Sequence, residues 1–236
     1  MYEREEAFAA RAARLGGEAV MRWYAAGVRV DWKGRGDPVT EADREADALI
    51  VEAIRREFPG DAVLSEESAD DAGRLGRERL WLVDPLDGTR EFIDRVGEFV
   101  VMVALAHRGS PVAGAIFHPV SGRLYRARLG AGAWVEDSGS ARRLAVSAVA
   151  DPAAARLVVS RSHRSARIDE ARRILGIEQE EPCGSVGLKV ARLAEGRADL
   201  YIHAGGGTRE WDLAAPEIVL REAGGLVTDA FGRPLE

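Results

Sequence analysis

Trp81-Leu82-Val83-Asp84-Pro85-Leu86-Asp87-Gly88-Thr89-Arg90-Glu91-Phe92 is the stretch that decides how the chain is read. An apolar run with the look of a buried strand empties directly into two aspartates, followed by Gly-Thr. Carboxylates at a strand end, next to a glycine that frees backbone N–H groups, can hold hard divalent cations and a phosphate together. An Asp-Pro turn of purely structural purpose needs neither the second aspartate nor the Gly-Thr pair in that order.

Working outward, three more acidic clusters stand at element boundaries: Asp37/Asp43, Glu66/Glu67 and Glu210/Asp212. Taken singly, each is ordinary, because acidic side chains favour helix starts and loops. Asp43 and Asp212 each read equally well as helix caps. Four such clusters in one chain point further. The chain has 4 histidines and 1 cysteine, with no close His pair, so a zinc site of nitrogen and sulfur ligands is poorly supported. Oxygen ligands fit Mg²⁺ or Mn²⁺, which bind substrate phosphates through a few carboxylates. Two such ions would clamp the attacking and leaving oxygens of an in-line displacement.

Composition sets the outer bounds. A chain of 236 residues can be one large domain or two intimate ones, and 46% hydrophobic with 31% charged residues describes a globular protein. The net charge of -6 lacks the basic footprint of a protein that binds a nucleic-acid polymer. No apolar run approaches the ~20 residues of a membrane span. The start, Met1-Tyr2-Glu3-Arg4-Glu5-Glu6, lacks the layout of a signal peptide. Cys183, having no partner for an intramolecular disulfide, reads as a small buried hydrophobe and fits a reducing cytoplasm.

Helical spacing of Phe8, Ala12, Leu15, Ala19 and Trp23 predicts a helix from Glu3 to Ala26, followed by a loop over Lys33 to Pro38. A second helix is expected from Asp43 to Phe58, then a short strand Ala62 to Leu64 and a polar loop from Ala69 to Arg79. Strands follow at Phe99 to His107, Val112 to Phe117, Leu124 to Arg128 and through Gly130 to Val135. Beyond about Asp151 the rhythm changes to strand and helix in alternation. Strands are expected at Leu157 to Val159, Ala198 to His203 and Leu226 to Thr228. Helices are expected at Ala166 to Leu175, Val186 to Ala194 and Leu213 to Ala223. Residues 1–150 then form a mixed α+β half carrying most acidic clusters, and residues 151–236 an α/β half closing the site.

Four ordered motifs, Asp37-Pro-Val-Thr-Glu-Ala-Asp43, Ser65-Glu66-Glu67, Asp84-Pro-Leu-Asp-Gly-Thr89 and Trp211-Asp212-Leu-Ala-Ala-Pro216, resemble the inositol monophosphatase superfamily of metal-dependent, lithium-sensitive phosphatases. The resemblance runs from about Ala7 to Gly225 and implies a layered αβαβα sugar-phosphatase fold binding two or three Mg²⁺ ions, with Mn²⁺ as a substitute. Carried over, it makes Glu66, Asp84, Asp87 and Asp212 metal carboxylates and the Leu86 carbonyl a further ligand. Asp84 would bridge two ions. Thr89 and Asp43 would orient and deprotonate the attacking water, Gly88 and Thr89 N–H groups would meet the phosphate, and Asp212 would lie near the leaving oxygen. Dimers are common among such proteins.

The continuation Thr89-Arg90-Glu91-Phe92-Ile93 and Gly97-Glu98-Phe99 is similar to the 3'(2'),5'-bisphosphate nucleotidase branch, as are Ser160-Arg161-Ser162-His163 and Gly184-Ser185-Val186-Gly187-Leu188-Lys189. Inositol phosphatases of the superfamily usually carry Asn where Glu91 stands. A small bisphosphate needs one phosphate on the metals and positive groups for the other, and Lys189, Arg209 and His163 are candidates, beside Gly184 and Ser185. The expected reaction is hydrolysis of adenosine 3',5'-bisphosphate to AMP. The alternatives are an inositol-1-phosphate or fructose-1,6-bisphosphate phosphatase, and a non-catalytic regulatory protein on the same scaffold. Ser65 departs from the family, which commonly has Gly before the metal Glu, and reads as a tolerated backbone change.

Overall fold

The computed structural model describes residues 1–27, 30–34, 37–162 and 164–235, and of residues 32–34 and 37–38 the backbone alone. Strand β4, Arg79–Asp87, stands near one edge of a seven-stranded sheet. The sheet's order is that of the sequence: β3 (Ala62–Ser65), β4, β5 (Val100–His107), β6 (Ser110–His118), β7 (Arg123–Arg128), β8 (Ala133–Asp137) and β9 (Ser140–Arg143). Only β3 and β4 run parallel; the other neighbours are antiparallel.

Both faces of this sheet are covered, which explains why β4 and β5 are apolar without alternation. Trp81, Val83, Val101, Val103 and Leu105 pack under α1 (Glu3–Ala26) and α2 (Glu41–Glu57). Leu82, Val100, Met102 and Ala104 face the opposite way, toward helices α5 (Val186–Ala194) and α6 (Glu210–Glu222). Those two helices also touch Val158 and Cys183 of a second, parallel sheet ordered β11 (Gln179–Cys183), β10 (Arg156–Ser160), β12 (Leu200–Tyr201). Its far face, Leu157 and Val159, is closed by Ile168 of α4 (Ala166–Leu175). The layering is therefore αβαβα.

Several expected elements shift. Of the expected loop from Lys33 to Pro38, residues 33–34 and 37–38 instead lie on two antiparallel strands, β1 (Val30–Gly34) and β2 (Asp37–Thr40), and residues 35–36 lie outside the described residues. Gln179–Cys183, too polar to read as a strand, is the edge of the small sheet, where the exposed Gln179, Glu181 and Pro182 are tolerated because one side of the ladder needs no partner. The expected strand at Ala198 to His203 shrinks to Leu200–Tyr201, and Leu226 to Thr228 contributes only an isolated bridge from Thr228 to Pro234. No helix among the described residues is long and apolar enough to cross a membrane.

Candidate active site

The site begins with a break in register. Asp84 pairs with Met102 and Asp87 with Val100, so three steps along β4 match two along β5. Strand side chains alternate between faces, and an uninterrupted strand would turn residues 84 and 87 to opposite sides. The extra residue of this bulge, beside Pro85 with its missing N–H, restores Asp87 to the same side as Asp84. Gly88 follows at φ 100°, a left-handed conformation, and a Cβ there would lie 2.8 Å from the Glu98 carbonyl oxygen. Only glycine fits this corner. The short helix α3 (Thr89–Ile93) starts immediately after it.

Asp84, Asp87, Leu86, Gly88 and Thr89 line a cavity of about 500 Å³, together with Glu66 from the end of β3 and Asp212 from the first turn of α6. The four carboxylates act on one another. Burial, followed by the charges of Glu66, Asp87 and Asp212, holds the Asp84 carboxyl well above the usual carboxylate range, while the Leu86 amide donates to it at 3.1 Å. Burial also lifts Asp212 to about 7, with Asp87 and Glu66 adding to the rise and the Arg209 amide opposing it. Asp87 Oδ2 accepts from Ser185 Oγ at 2.5 Å and from the Gly187 amide at 2.7 Å.

No three Asp, Glu, His or Cys side chains among the described residues close into a ready-made ion cage. The donor set nevertheless suits hard cations: carboxylate oxygens crowded enough to raise the proton affinity of Asp84 and Asp212, with Asp84 buried. Mg²⁺ and Mn²⁺ take such oxygens a few at a time and complete their shells with water and substrate oxygens. The residues that could hold them are Glu66, Asp84, Asp87, Asp212 and the Leu86 carbonyl.

Behind the wall lies Asp43. Its Oδ2 accepts from the Thr40 amide at 2.7 Å, closing the cap of α2, while its Oδ1 lies 3.1 Å from Thr89 Oγ1. Thr89 Oγ1 is also 3.1 Å from the Leu86 carbonyl, and its single proton can serve either acceptor. Burial raises Asp43 to about 6, against the hydrogen bonds from Thr40 and Thr89 that lower it. A carboxylate poised near neutrality and coupled to a hydroxyl on the cavity wall is equipped to take up a proton.

The opposite wall comes from the small sheet and its helices. Lys189 is 3% exposed, its Nζ 5.1 Å from the Tyr201 ring centroid, and burial pulls its pKa down against the charge of Asp87. Ser185 also lines the cavity. Two expected substrate residues stand elsewhere. Gly184 lies behind Glu91, where a Cβ would collide with that side chain, and Arg209 is the exposed residue preceding α6; neither lines the cavity. His163 lies outside the described residues. Sequence reasoning missed Ser162, Tyr201 and the Gly205–Gly207 segment, all on the wall. Ser162 Oγ donates to the buried Glu91, tying the β4 corner to the β10 corner. Three consecutive glycines before α6 were the one visible signal.

The Inositol monophosphatase family model matches residues 1–236. The chain belongs to that family. It is 41% identical over 229 residues to the 3'(2'),5'-bisphosphate nucleotidase CysQ of Escherichia coli strain K12, covering 95% of this chain and 90% of that protein. Among solved structures it resembles CysQ from Bacteroides thetaiotaomicron, a bacterial member of the family, at 34% identity and a TM-score of 0.78, covering 94% of this chain and 88% of that one. It also resembles the Thermotoga maritima IMPase at 28% identity and a TM-score of 0.85, covering 100% and 88%. As a member of this family the protein is a phosphatase, and the cavity is its candidate active site.

Proposed function

We propose that the protein is a Mg²⁺-dependent 3'(2'),5'-bisphosphate nucleotidase that hydrolyses adenosine 3',5'-bisphosphate to AMP and phosphate. The observation that carries this reading is a buried lysine, Lys189, in the same cavity as the four carboxylates. A substrate with two phosphates needs both: oxygen ligands for cations at the phosphate to be cleaved, and a fixed positive charge for the other. The similarity to CysQ proteins supports the same choice.

Glu66, Asp84, Asp87, Asp212 and the Leu86 carbonyl would hold the cations, which when bound neutralise phosphate charge and acidify water. Asp43, through Thr89, accepts the proton of the attacking water. As the water oxygen bonds to phosphorus, the bond from phosphorus to O3' breaks, and O3', leaving beside Asp212, takes up a proton from solvent water. Gly88 and Thr89 offer backbone N–H groups to the phosphate, and Ser185 and Lys189 face the remainder of the substrate. In this reading residues 1–150 supply the cation ligands apart from Asp212, and residues 151–236 the substrate wall. The cytoplasm is the compartment proposed, and a homodimer the assembly.

The test is phosphate release from adenosine 3',5'-bisphosphate, inositol-1-phosphate and fructose-1,6-bisphosphate with Mg²⁺, with and without lithium. The nucleotide is expected to give the highest kcat/KM, with lithium inhibiting. If it is the poorest of the three, the nucleotidase assignment fails.

A further inference from the structure

Helix α2 turns two carboxylates into the protein. Asp43 and Asp47 stand one turn apart on the buried stripe that also carries Ala46, Ile50 and Ile54. Asp43 belongs to the site described above; Asp47, 6% exposed, has no part in it so far. A buried carboxylate is costly unless its oxygens are hydrogen-bonded. Here both are: Ser65 Oγ donates to Oδ1, and Ser68 Oγ donates to Oδ2 at 2.6 Å.

Those two serines bracket Glu66. Ser65 is the last residue of β3, itself 3% exposed, and its Oγ lies 3.3 Å from the Val83 carbonyl of β4. The same carbonyl accepts from the Glu66 amide at 3.2 Å. Beyond that bond the chain leaves the sheet, and Ser68 on Asp47 is a contact that fixes its direction. Glu66 thus sits between two points pinned to one carboxylate, with its side chain on the cavity wall. An apolar residue at 47 with Ala at 65 and 68 would fill this region without any polar group to satisfy. Such buried polar groups give direction rather than net stability.

We infer that Asp47 is a positioning residue for Glu66: from α2 it fixes the Ser65–Ser68 turn and so the aim of the Glu66 carboxylate into the cavity. The hydroxyl at position 65, read from sequence as a tolerated backbone change, is one of the two donors that make this clamp. The inference rests on the proposed role of Glu66 as a cation ligand. One helix then sets two arms of the site, Thr89 through Asp43 and Glu66 through Asp47.

Mn²⁺ binding to the full chain, followed by EPR of the free ion, tests this in five proteins: wild type, Asp47→Ala, Ser68→Ala, Glu66→Gln and the double variant Asp47→Ala/Glu66→Gln. Asp47→Ala is expected to weaken Mn²⁺ affinity by about 10- to 100-fold, in the range of losses from partners that orient metal ligands. Ser68→Ala should weaken it by ~3-fold, and the double variant should bind as Glu66→Gln does, because both act through one side chain. A folded Asp47→Ala protein with wild-type affinity overturns the inference. Should Asp47→Ala fail to fold, Ser68→Ala decides alone, and unchanged affinity there overturns it too. If Glu66→Gln weakens binding while Asp47→Ala and Ser68→Ala do not, only the clamp is wrong. Wild-type affinity in Glu66→Gln removes the ligand role of Glu66, and the inference with it.

Discussion

Helices α2 and α6 each carry an aspartate at the third helical position, and in each the Oδ2 accepts the backbone N–H of the residue three back. Asp43 takes it from Thr40 at 2.7 Å and Asp212 from Arg209 at 2.7 Å. The second oxygens part company. Asp43 Oδ1 meets Thr89 behind the cavity wall, whereas Asp212 lines the cavity itself among other carboxylates. Burial is the main reason both are lifted, Asp43 to about 6 and Asp212 to about 7; the field of Glu66 raises both, and that of Asp87 adds to the rise of Asp212. Capping and chemistry are thus not competing readings of such an aspartate. One oxygen serves the helix and leaves the other held in place for the site.

The largest effects should separate the two aspartates. Asp43→Asn keeps a side-chain oxygen for the cap but removes the proposed proton acceptor, so kcat should fall by ~10²–10⁴ at saturating Mg²⁺, and Thr89→Ala should match it. Asp212→Asn should lose activity too, but with the half-saturating Mg²⁺ concentration raised by at least about 10-fold. Phosphate release across a Mg²⁺ titration measures both. If Asp43→Asn keeps a near-normal rate, or both variants shift only the metal dependence, the division of labour is wrong.

Acidity provides the next test. In the folded, cation-free protein Asp43, Asp84 and Asp212 hold protons more tightly than in the unfolded chain, where ordinary carboxylates titrate near 3.8. The native state binds more protons across that interval, so these groups favour folding at low pH and lose that advantage as pH rises from about 4 to about 7. A divalent cation held, as proposed, by Asp84 and Asp212 would replace their protons. Mg²⁺ should therefore raise Tm more at about pH 7.5 than at about pH 5, with ~2.7 kcal/mol gained at a hundredfold excess over Kd. An equal rise at both pH values would mean that the cation binds away from these carboxylates.

Much of this architecture was legible because it is local. The helices Glu3–Ala26, Ala166–Leu175 and Val186–Ala194 occupy the residues their apolar spacing predicts, and β4 and β5 show their double burial as unbroken apolar runs. The carboxylates were legible because acidic residues at strand ends are few and chemically specific. What stayed hidden depends on partners distant in sequence. Gln179–Cys183 becomes a strand only because β10 offers it an edge. Gly184 reads as a substrate residue until Glu91 is seen to occupy the space a side chain there would need. Asp47 cannot be told from any helix-surface aspartate until Ser65 at the end of the next strand and Ser68 in the turn beyond it come to it.

The smallest expected effect probes the caps. Thr40 Oγ1 accepts from the Ala42 amide at 3.1 Å and lies 2.6 Å from Asp43 Oδ2, whereas Arg209 has no side-chain cap bond. Thr40→Ala should cost about 1 kcal/mol of stability, the usual range for a lost cap, while Arg209→Ala stays within about 0.5 kcal/mol. Thr40→Ala carries a second consequence. The hydroxyl donates to the ionised form of Asp43 and so lowers its pKa; without it Asp43 binds its proton more tightly. The acid limb of the pH profile of kcat/KM should then move to higher pH. The limb should move much less in Arg209→Ala, because Arg209 acts on Asp212 rather than on Asp43. If Thr40→Ala lowers Tm with no movement of that limb, Asp43 is only a cap, and the likeness between the two helix starts ends at the backbone.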